Sequence, residues 1–273
     1  MSLSNEQITR YSRQLLLSDI GVRGQERLGA SRVLVIGAGG LGCPAAAYLA
    51  AAGVGTLRIV DRETVALSNL HRQILHTTDG VGRPKSESAV GRLAALNPTI
   101  RLEAVQRSVQ PETVMELIRD TDVVLDGSDN LATRYLVNDA CVLAGRPLIY
   151  GGVIGLRGQV LVVAPRQSAC FRCVFPEPPA PGDIPNCQDA GVLGAVAGLI
   201  GSLMAHEALK LLAGFGTPLH DRLFVFDGLT AAAREVAVRR DPSCAVCGDS
   251  PSIVAPATVD AMVCEGNTVT KEV

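Results

Sequence analysis

"VLVIGAGGLGCPAAAYLAAAGVGTLRIVD", residues 33–61, decides the fold. It opens with an apolar run, turns on closely spaced glycines, continues through alanines to Gly53, and returns to an apolar run ending in Asp61. The pattern predicts a strand over 32–37, a helix over 41–53 and a strand over 55–61, the opening βαβ unit of a parallel sheet. Glycines in the run 37–42 let the backbone approach an anion that a Cβ would keep away, and a helix N-terminus turns N–H groups towards it. Gly37, Gly39, Gly40 and Gly42 are therefore candidate phosphate-binding residues. Asp61, at the end of the second strand, is placed to accept hydrogen bonds from ribose hydroxyls. On its own the glycine run is weak evidence for any named nucleotide.

The same alternation continues outward. "KSESAVGRLAALNP" (85–98) reads as a helix closed by Asn-Pro, followed by a strand over 100–106 and a short helix over 111–119 opened by Pro111. "DVVLDGSDN" (122–130) reads as a strand ending in a polar turn, then a helix over 130–145 and the strand "RPLIYGG" (146–152). Upstream, residues 4–29 read as helical, with Tyr11, Leu15, Leu16 and Leu17 as packing candidates. Strands alternating with helices imply a parallel sheet with right-handed crossovers. After about residue 150 the texture changes. "GQVLVVAP" (158–165) reads as an antiparallel addition, and "FPEPPAPGDIPNCQD" (175–189) holds five prolines, which suits a mobile loop. A helix over 190–213 and strands in "RLFVFDG" and "REVAVRR" complete the chain's regular part. The expectation is an α/β fold: a Rossmann-like, largely parallel sheet flanked by helices, with antiparallel strands added in the C-terminal half. One domain would cover 1–248, its nucleotide-binding half ending near 150 and its second half carrying zinc and partner contacts, with a flexible tail over 249–273.

Composition sets bounds on function. At 273 residues and 47% hydrophobic content the chain buries a substantial core, and a net charge of −2 without like-charge blocks gives no electrostatic case for nucleic acid or membrane. The N-terminus "MSLSNEQITRYSRQ" has no apolar signal core. With eight cysteines this points to a reducing, cytoplasmic setting, where CxxC pairs mean metal or thiol chemistry. "AGVLGAVAGLIGSLMA" (190–205) is uncharged, but it is shorter than the roughly 20 residues of a membrane span, and His206, Glu207 and Lys210 interrupt its continuation. It reads as a buried helix whose small residues suit close packing, a dimer interface included.

Charge near the glycine turn separates dinucleotide from triphosphate chemistry. A pyrophosphate bound by amides needs few basic side chains, whereas Asn69, Arg72 and Lys85 follow the second strand in polar segments and Arg13 lies near the N-terminus. Arginine and lysine stabilise charge building on a leaving pyrophosphate. Asp129 falls at the carboxyl end of another parallel strand, where open sheets bind ligands, and an acid there suits Mg²⁺ bridging phosphates.

Several segments in this order resemble the E1-like activating enzymes of the MoeB/ThiF group. They are "RYSRQ" (10–14), "GAGGLG" (37–42), "DRETV" with "SNLHRQ" (61–73), "VGRPKSESA" (81–89), "DGSDN" (126–130), "CFRC" (170–173), "CQDAGVLGAVAGLIGSLMAHEALK" (187–210) and "CAVC" (244–247). The resemblance runs from about residue 6 to 248. It implies adenylation, with MgATP, of the C-terminal Gly-Gly carboxylate of a ubiquitin-like sulfur-carrier protein, in thiamin or molybdopterin biosynthesis. It also implies that Gly40 sits on the phosphates, that Ser68, Asn69, Arg72 and Lys85 contact the nucleotide, and that Asp129 binds Mg²⁺ with Asn130 beside it. Arg13 would come from the partner of a homodimer. Glu63 stands where an Asp is common in the family. A chain ending at 273 leaves no room for the rhodanese domain of some relatives, so sulfur would come from a separate donor.

Cys170/Cys173 and Cys244/Cys247 form two CxxC pairs, and four thiolates complete a closed tetrahedral Zn²⁺ site of structural type. A redox reading explains one pair and not two. Cys187 closes the proline-rich segment before an expected helix N-terminus, a position that lowers a thiol pKa. In ThiF-like relatives the matching cysteine can link covalently to the carrier; in MoeB-like relatives adenylation suffices. Cys43 and Cys141 read as packing residues. The alternatives are an E1-like enzyme acting on a different carboxylate, for example on modified tRNA, a nicotinamide oxidoreductase, and a non-catalytic carrier-binding module. The oxidoreductase reading would leave Arg72, Lys85 and Asp129 without a task.

Overall fold

Successive side chains of a strand face opposite ways, and here that alternation feeds two separate cores. In the computed structural model, which describes residues 3–178 and 191–259, strand β1 (Arg32–Ile36) sends Val33 and Val35 to one core and Leu34 and Ile36 to the other. The later strands are β2 (Thr56–Val60), β3 (Arg101–Val105), β4 (Val123–Asp126), β5 (Leu148–Ile154), β6 (Arg157–Val163), β7 (Arg222–Asp227) and β8 (Ala232–Ala237). All eight form one sheet in the order β3-β2-β1-β4-β5-β6-β7-β8. The first five pair in parallel, and the β5–β6, β6–β7 and β7–β8 pairs are antiparallel. The expected fold class is the one observed.

Helices cover both faces. α3 (Gly21–Ala30), α4 (Gly42–Ala51), α5 (Lys85–Leu96) and α9 (Gly194–Ala213) contribute Leu28, Leu49, Leu93 and Met204 to the first core. α6 (Pro111–Ile118), α7 (Leu131–Ala144) and the short α8 (Phe171–Val174) contribute Val114, Tyr135 and Phe171 to the second. Cys43 packs in the first core and Cys141 in the second.

The N-terminal region departs from the sequence expectation. Instead of one helix over 4–29 there are α1 (Asn5–Arg10), α2 (Ser12–Leu15) and α3. Tyr11 breaks the first two apart with φ −98° and ψ 12°. The break turns its ring inward over Gly53, where Asn97 Nδ2 donates to its hydroxyl at 2.9 Å. Tyr11 is buried as expected, but Leu16 and Leu17 are 76% and 54% exposed, because the chain bends away after α2.

α9 begins four residues later than expected, at Gly194 rather than 190, and ends at Ala213 as expected. Its 20 residues make it the one helix among those described that is long and apolar enough to cross a membrane by length and composition. It lies instead along α3, α4, β5 and β6, with Ile200, Met204 and Ala208 fully buried. Glu207 inside it accepts the Leu219 N–H at 2.8 Å and pairs with Lys210 at 2.5 Å. A Cβ on Gly201 would come within 2.4 Å of the Leu41 carbonyl oxygen, so this small residue serves packing inside the chain.

Two further features position the site. Gly42, the first residue of α4, lies so close to the glycine turn that a Cβ would stand 1.7 Å from the Gly37 carbonyl oxygen. Gly42→Ala is therefore expected to destabilise the protein by about 1–3 kcal/mol, the usual cost of overpacking, and to weaken nucleotide binding; denaturant unfolding checks the first and ligand titration the second. Residues 249–259, within the expected tail, run back over the body: Asp249 pairs with Arg240 at 2.7 Å, the Ile253 N–H donates to the Ala245 carbonyl, and Val259 packs against the second core.

Candidate active site

Strand order reverses between β1 and β4, and open α/β sheets bind ligands outside the carboxyl ends of their strands at such a point. A cleft of about 440 Å³ lies there, within the range of small-molecule sites. Gly37, Gly39, Gly40, Asp61, Arg72, Lys85, Asp129 and Asn130 all line it. Gly42, Ser68, Asn69 and Arg13 are not in its walls. Cys187 lies outside the described residues.

The glycine turn is anchored from below. Gly37 adopts φ +88°, a conformation glycine alone takes without strain, and its N–H donates to the Val60 carbonyl at 2.8 Å. Asp61 holds the turn and the segment beyond β2 together, one carboxylate oxygen accepting from the Ala38 N–H and the other from the Glu63 N–H, both at 2.8 Å. Burial pushes the Asp61 carboxyl upward, against these hydrogen bonds and the charge of Lys85. Each oxygen keeps a second lone pair for a ligand hydroxyl. The N–H groups of Gly39 and Gly40 meet no acceptor among the described residues. On a wall of the cleft they are donors able to bind an anion.

Two cations enter from the segment after β2. Lys85, the first residue of α5, is 3% exposed, and its Nζ lies 2.6 Å from Glu63 Oε2. Burial pushes Glu63 upward, yet the hydrogen bond and charge of Lys85 outweigh it and hold the carboxyl below its ordinary value. Arg72 Nη1 donates to the Ser68 carbonyl at 2.9 Å and to His71 Nε2 at 2.7 Å, so Ser68 reaches the site through its backbone by aiming Arg72. Asn69 uses its side-chain oxygen to accept the Ala66 N–H at 3.1 Å, which closes the turn carrying Arg72. Arg13 is exposed on α2.

The opposite wall follows β4. Asp129 stands exposed at the cleft, and Asn130 caps α7 by accepting the Thr133 N–H at 2.8 Å, which fixes the turn that carries Asp129. Behind them Asp126 is 1% exposed and accepts the Ser128 N–H, and burial pushes its carboxyl upward. The cleft also has residues the sequence reading missed. Arg134, one turn along α7 from Asn130, donates to the Ser128 carbonyl at 3.0 Å and lies 5.1 Å from the centre of the Tyr150 ring. Its spacing of four from the cap was the available signal. Glu63, Gln73 and Arg107 line the cleft as well, and so does Thr258, which nothing local announces.

The four cysteines of the CxxC pairs meet in space, all four Sγ atoms within 4.8 Å of one another. Measured separations are 3.8 Å (Cys170–Cys173), 3.7 Å (Cys170–Cys244) and 3.3 Å (Cys173–Cys247). A tetrahedron of sulfurs about 2.3 Å from a zinc ion has edges of about 3.8 Å, so the donor set fits. Hydrogen bonding to Cys170 draws the Cys173 thiol down to about 6, and the Asp241 N–H points at its sulfur from 3.4 Å. The first pair is fastened to α7. The Phe171 N–H donates to Asn138 Oδ1 at 2.9 Å, and Arg172 binds both oxygens of the buried Asp139 at 2.8 Å. The cysteine cluster sits on the second core and apart from the cleft.

Comparison with known proteins agrees with this arrangement. The profile of the ThiF family matches residues 11–246. A Thermus thermophilus protein named sulfur carrier protein adenylyltransferase is 49% identical over 257 residues, covering 92% of this chain and 95% of that one. A mouse protein named adenylyltransferase and sulfurtransferase MOCS3 is 49% identical over 253 residues, again 92% of this chain but 55% of the mouse protein, so the chain spans about half of that relative. Among solved structures, Escherichia coli MccB superposes with a TM-score of 0.80 at 23% identity, covering 91% of this chain and 74% of MccB, a likeness of fold.

Proposed function

This chain belongs to the ThiF family and is an adenylyltransferase of the ThiF/MoeB type, and from that premise we propose that it joins the AMP of ATP to the C-terminal Gly-Gly carboxylate of a ubiquitin-like sulfur carrier. The observation that carries the reading is the convergence on one cleft of two unmatched glycine N–H groups, Arg72, Lys85 and Asp129. The name of the Thermus relative supports a sulfur carrier as the acceptor.

The chemistry asks for little beyond alignment and charge. A carrier carboxylate oxygen attacks the α-phosphorus of ATP, the bond to the bridging oxygen breaks, and pyrophosphate leaves. The carboxylate is already ionised at neutral pH, so no general base is needed. Two anions must instead be brought together and their repulsion neutralised. Asp61 receives the ribose hydroxyls, and the Gly39 and Gly40 amides receive phosphate oxygens. Arg72 and Lys85 stabilise charge on the departing pyrophosphate. Lys85 has three N–H donors, so it can keep Glu63 while donating to phosphate. Asp129 is the residue to hold Mg²⁺, which supplies further neutralisation across the phosphates when bound. A nicotinamide dinucleotide would give Arg72 and Lys85 no role.

The four-cysteine cluster is assigned to structural Zn²⁺ by the fit of its donor set. The exposed position of Arg13 suits a side chain that completes the cleft of a second copy in a homodimer. Thiol ligands and ATP use support a reducing, cytoplasmic setting for the enzyme.

The test is exchange of labelled pyrophosphate into ATP in the presence of ThiS-like or MoaD-like carriers ending in Gly-Gly. Exchange that requires one of them assigns both substrate class and pathway. Absence of exchange with either folded carrier, from a protein that binds ATP, would reject the carrier and turn attention to another carboxylate.

A further inference from the structure

We propose that His76 is a positioning residue that fixes the direction of the Gly39 N–H by gripping the carbonyl of the preceding peptide; this rests on the reading of the cleft as an ATP site. His76 is 6% exposed and sits beneath the glycine turn, outside the walls of the cleft. Its Nε2 lies 2.9 Å from the Ala38 carbonyl oxygen and its Nδ1 lies 3.0 Å from Ser88 Oγ on α5. A carbonyl only accepts, so Nε2 carries the proton. In the neutral ring Nδ1 then accepts from the Ser88 hydroxyl, and the tautomer is set by its two neighbours.

The consequence follows from peptide geometry. The Ala38 carbonyl and the Gly39 N–H belong to one planar trans unit and point in opposite directions. Holding that carbonyl down towards His76 turns the Gly39 N–H up into the cleft, where it meets no acceptor among the described residues. Without the grip the unit is held less firmly, because on its Gly39 side the backbone tolerates both orientations. The Ala38 N–H is already tied to Asp61 at 2.8 Å, so one end of the residue is fixed by the ribose-binding acid and the other by His76. Cys43 Sγ adds a weaker donor to the same carbonyl at 3.2 Å, and burial pushes that thiol up to about 12, so it keeps its proton. Burial and the charge of Lys85 lower the His76 pKa, which favours the neutral ring described. Ser88 and Lys85 both belong to α5, so one helix end supports the glycine amide and supplies a phosphate-binding cation.

His76→Phe keeps a ring and removes both hydrogen bonds, while His76→Gln retains an N–H donor for the carbonyl. Titration with ATP alone, without any carrier, is expected to show Kd raised about tenfold in the Phe variant, as for one lost hydrogen bond to a buried group. The Gln variant should recover to within about threefold of wild type on the same scale. Steady-state exchange should show the loss in KM for ATP, with kcat changed less. Equal ATP affinity in wild type and Phe variant, or a Gln variant as weak as the Phe variant, would overturn the proposal. Should the Phe variant not fold, Gln together with Ser88→Ala decides. Ser88→Ala frees the tautomer and must weaken ATP binding, and the proposal fails if it binds as wild type does. The Gly39 amide resonance in nucleotide-free protein gives a separate reading. It should shift and exchange faster in the Phe variant, and an unchanged resonance rejects the proposal even if wild type binds no ATP, a result that would itself count against the adenylation reading.

Discussion

Replacing Asp129 with asparagine is expected to lower carrier-dependent exchange of pyrophosphate into ATP by about 10²–10³-fold, the effect typical of removing one preorganised electrostatic group. The substitution keeps size and hydrogen-bonding shape, so the fold should survive. Asn130 still caps α7, and the turn after β4 remains held by Asp126 through the Ser128 N–H. The loss should therefore fall mainly on kcat, with melting temperature little changed. The site would then hold its nucleotide without the negative charge proposed to hold Mg²⁺. Rates measured at saturating ATP, alongside ATP affinity and thermal melting, separate these quantities. A drop smaller than tenfold would show that the critical charge lies elsewhere on the wall, with Glu63 the next candidate because it also lines the cleft.

Cys244→Ser is expected to have the largest effect on stability. Structural zinc in finger peptides is worth about 10–16 kcal/mol, as much as the whole stability of an ordinary domain at about 5–15 kcal/mol. Loss of one ligand should release the metal and loosen the C-terminal half, because Cys170, Cys244 and Cys247 are all part of the second core. Metal content by emission spectroscopy should fall from one zinc per chain to near zero, and limited proteolysis should cut between β6 and β8. Cys141→Ala is the control, since Cys141 is fully buried and, among the described residues, belongs to no cluster of sulfurs. It should lose only packing. A zinc-loaded wild type that melts no higher than Cys244→Ser would reject the structural assignment.

Much of this architecture was legible because it is written in local pattern. The buried strand β1, the glycine turn and the antiparallel β6 each depend on residues adjacent in sequence. What local pattern hides is partnership. Lys85 reads as a phosphate ligand, but its bond to Glu63 connects residues 22 apart and appears only when β2 and α5 are placed side by side. Gly42 reads as part of an anion loop, whereas its missing Cβ makes room for the Gly37 carbonyl. Asn69 reads as a ligand by type, yet its oxygen closes its own turn. Residues 4–29 show helical periodicity, but periodicity cannot say that Tyr11 will turn towards Asn97 and leave Leu16 outside. Thr258 reaches the cleft only because the chain doubles back after the second CxxC pair.

The cysteine cluster also imposes a timetable on synthesis. Cys170 and Cys244 are 74 residues apart, so a ribosome adding about 5–20 residues per second leaves the first pair waiting about 4–15 s for the second. During that interval Cys170 and Cys173 are a half-built site, open to oxidation or to a passing metal. The fastening of Phe171 to Asn138 and of Arg172 to Asp139 answers this exposure, since α7 is complete before either cysteine emerges. The nascent chain can hold its first two thiols in shape against a helix already made, and the last pair arrives at a seat prepared in advance.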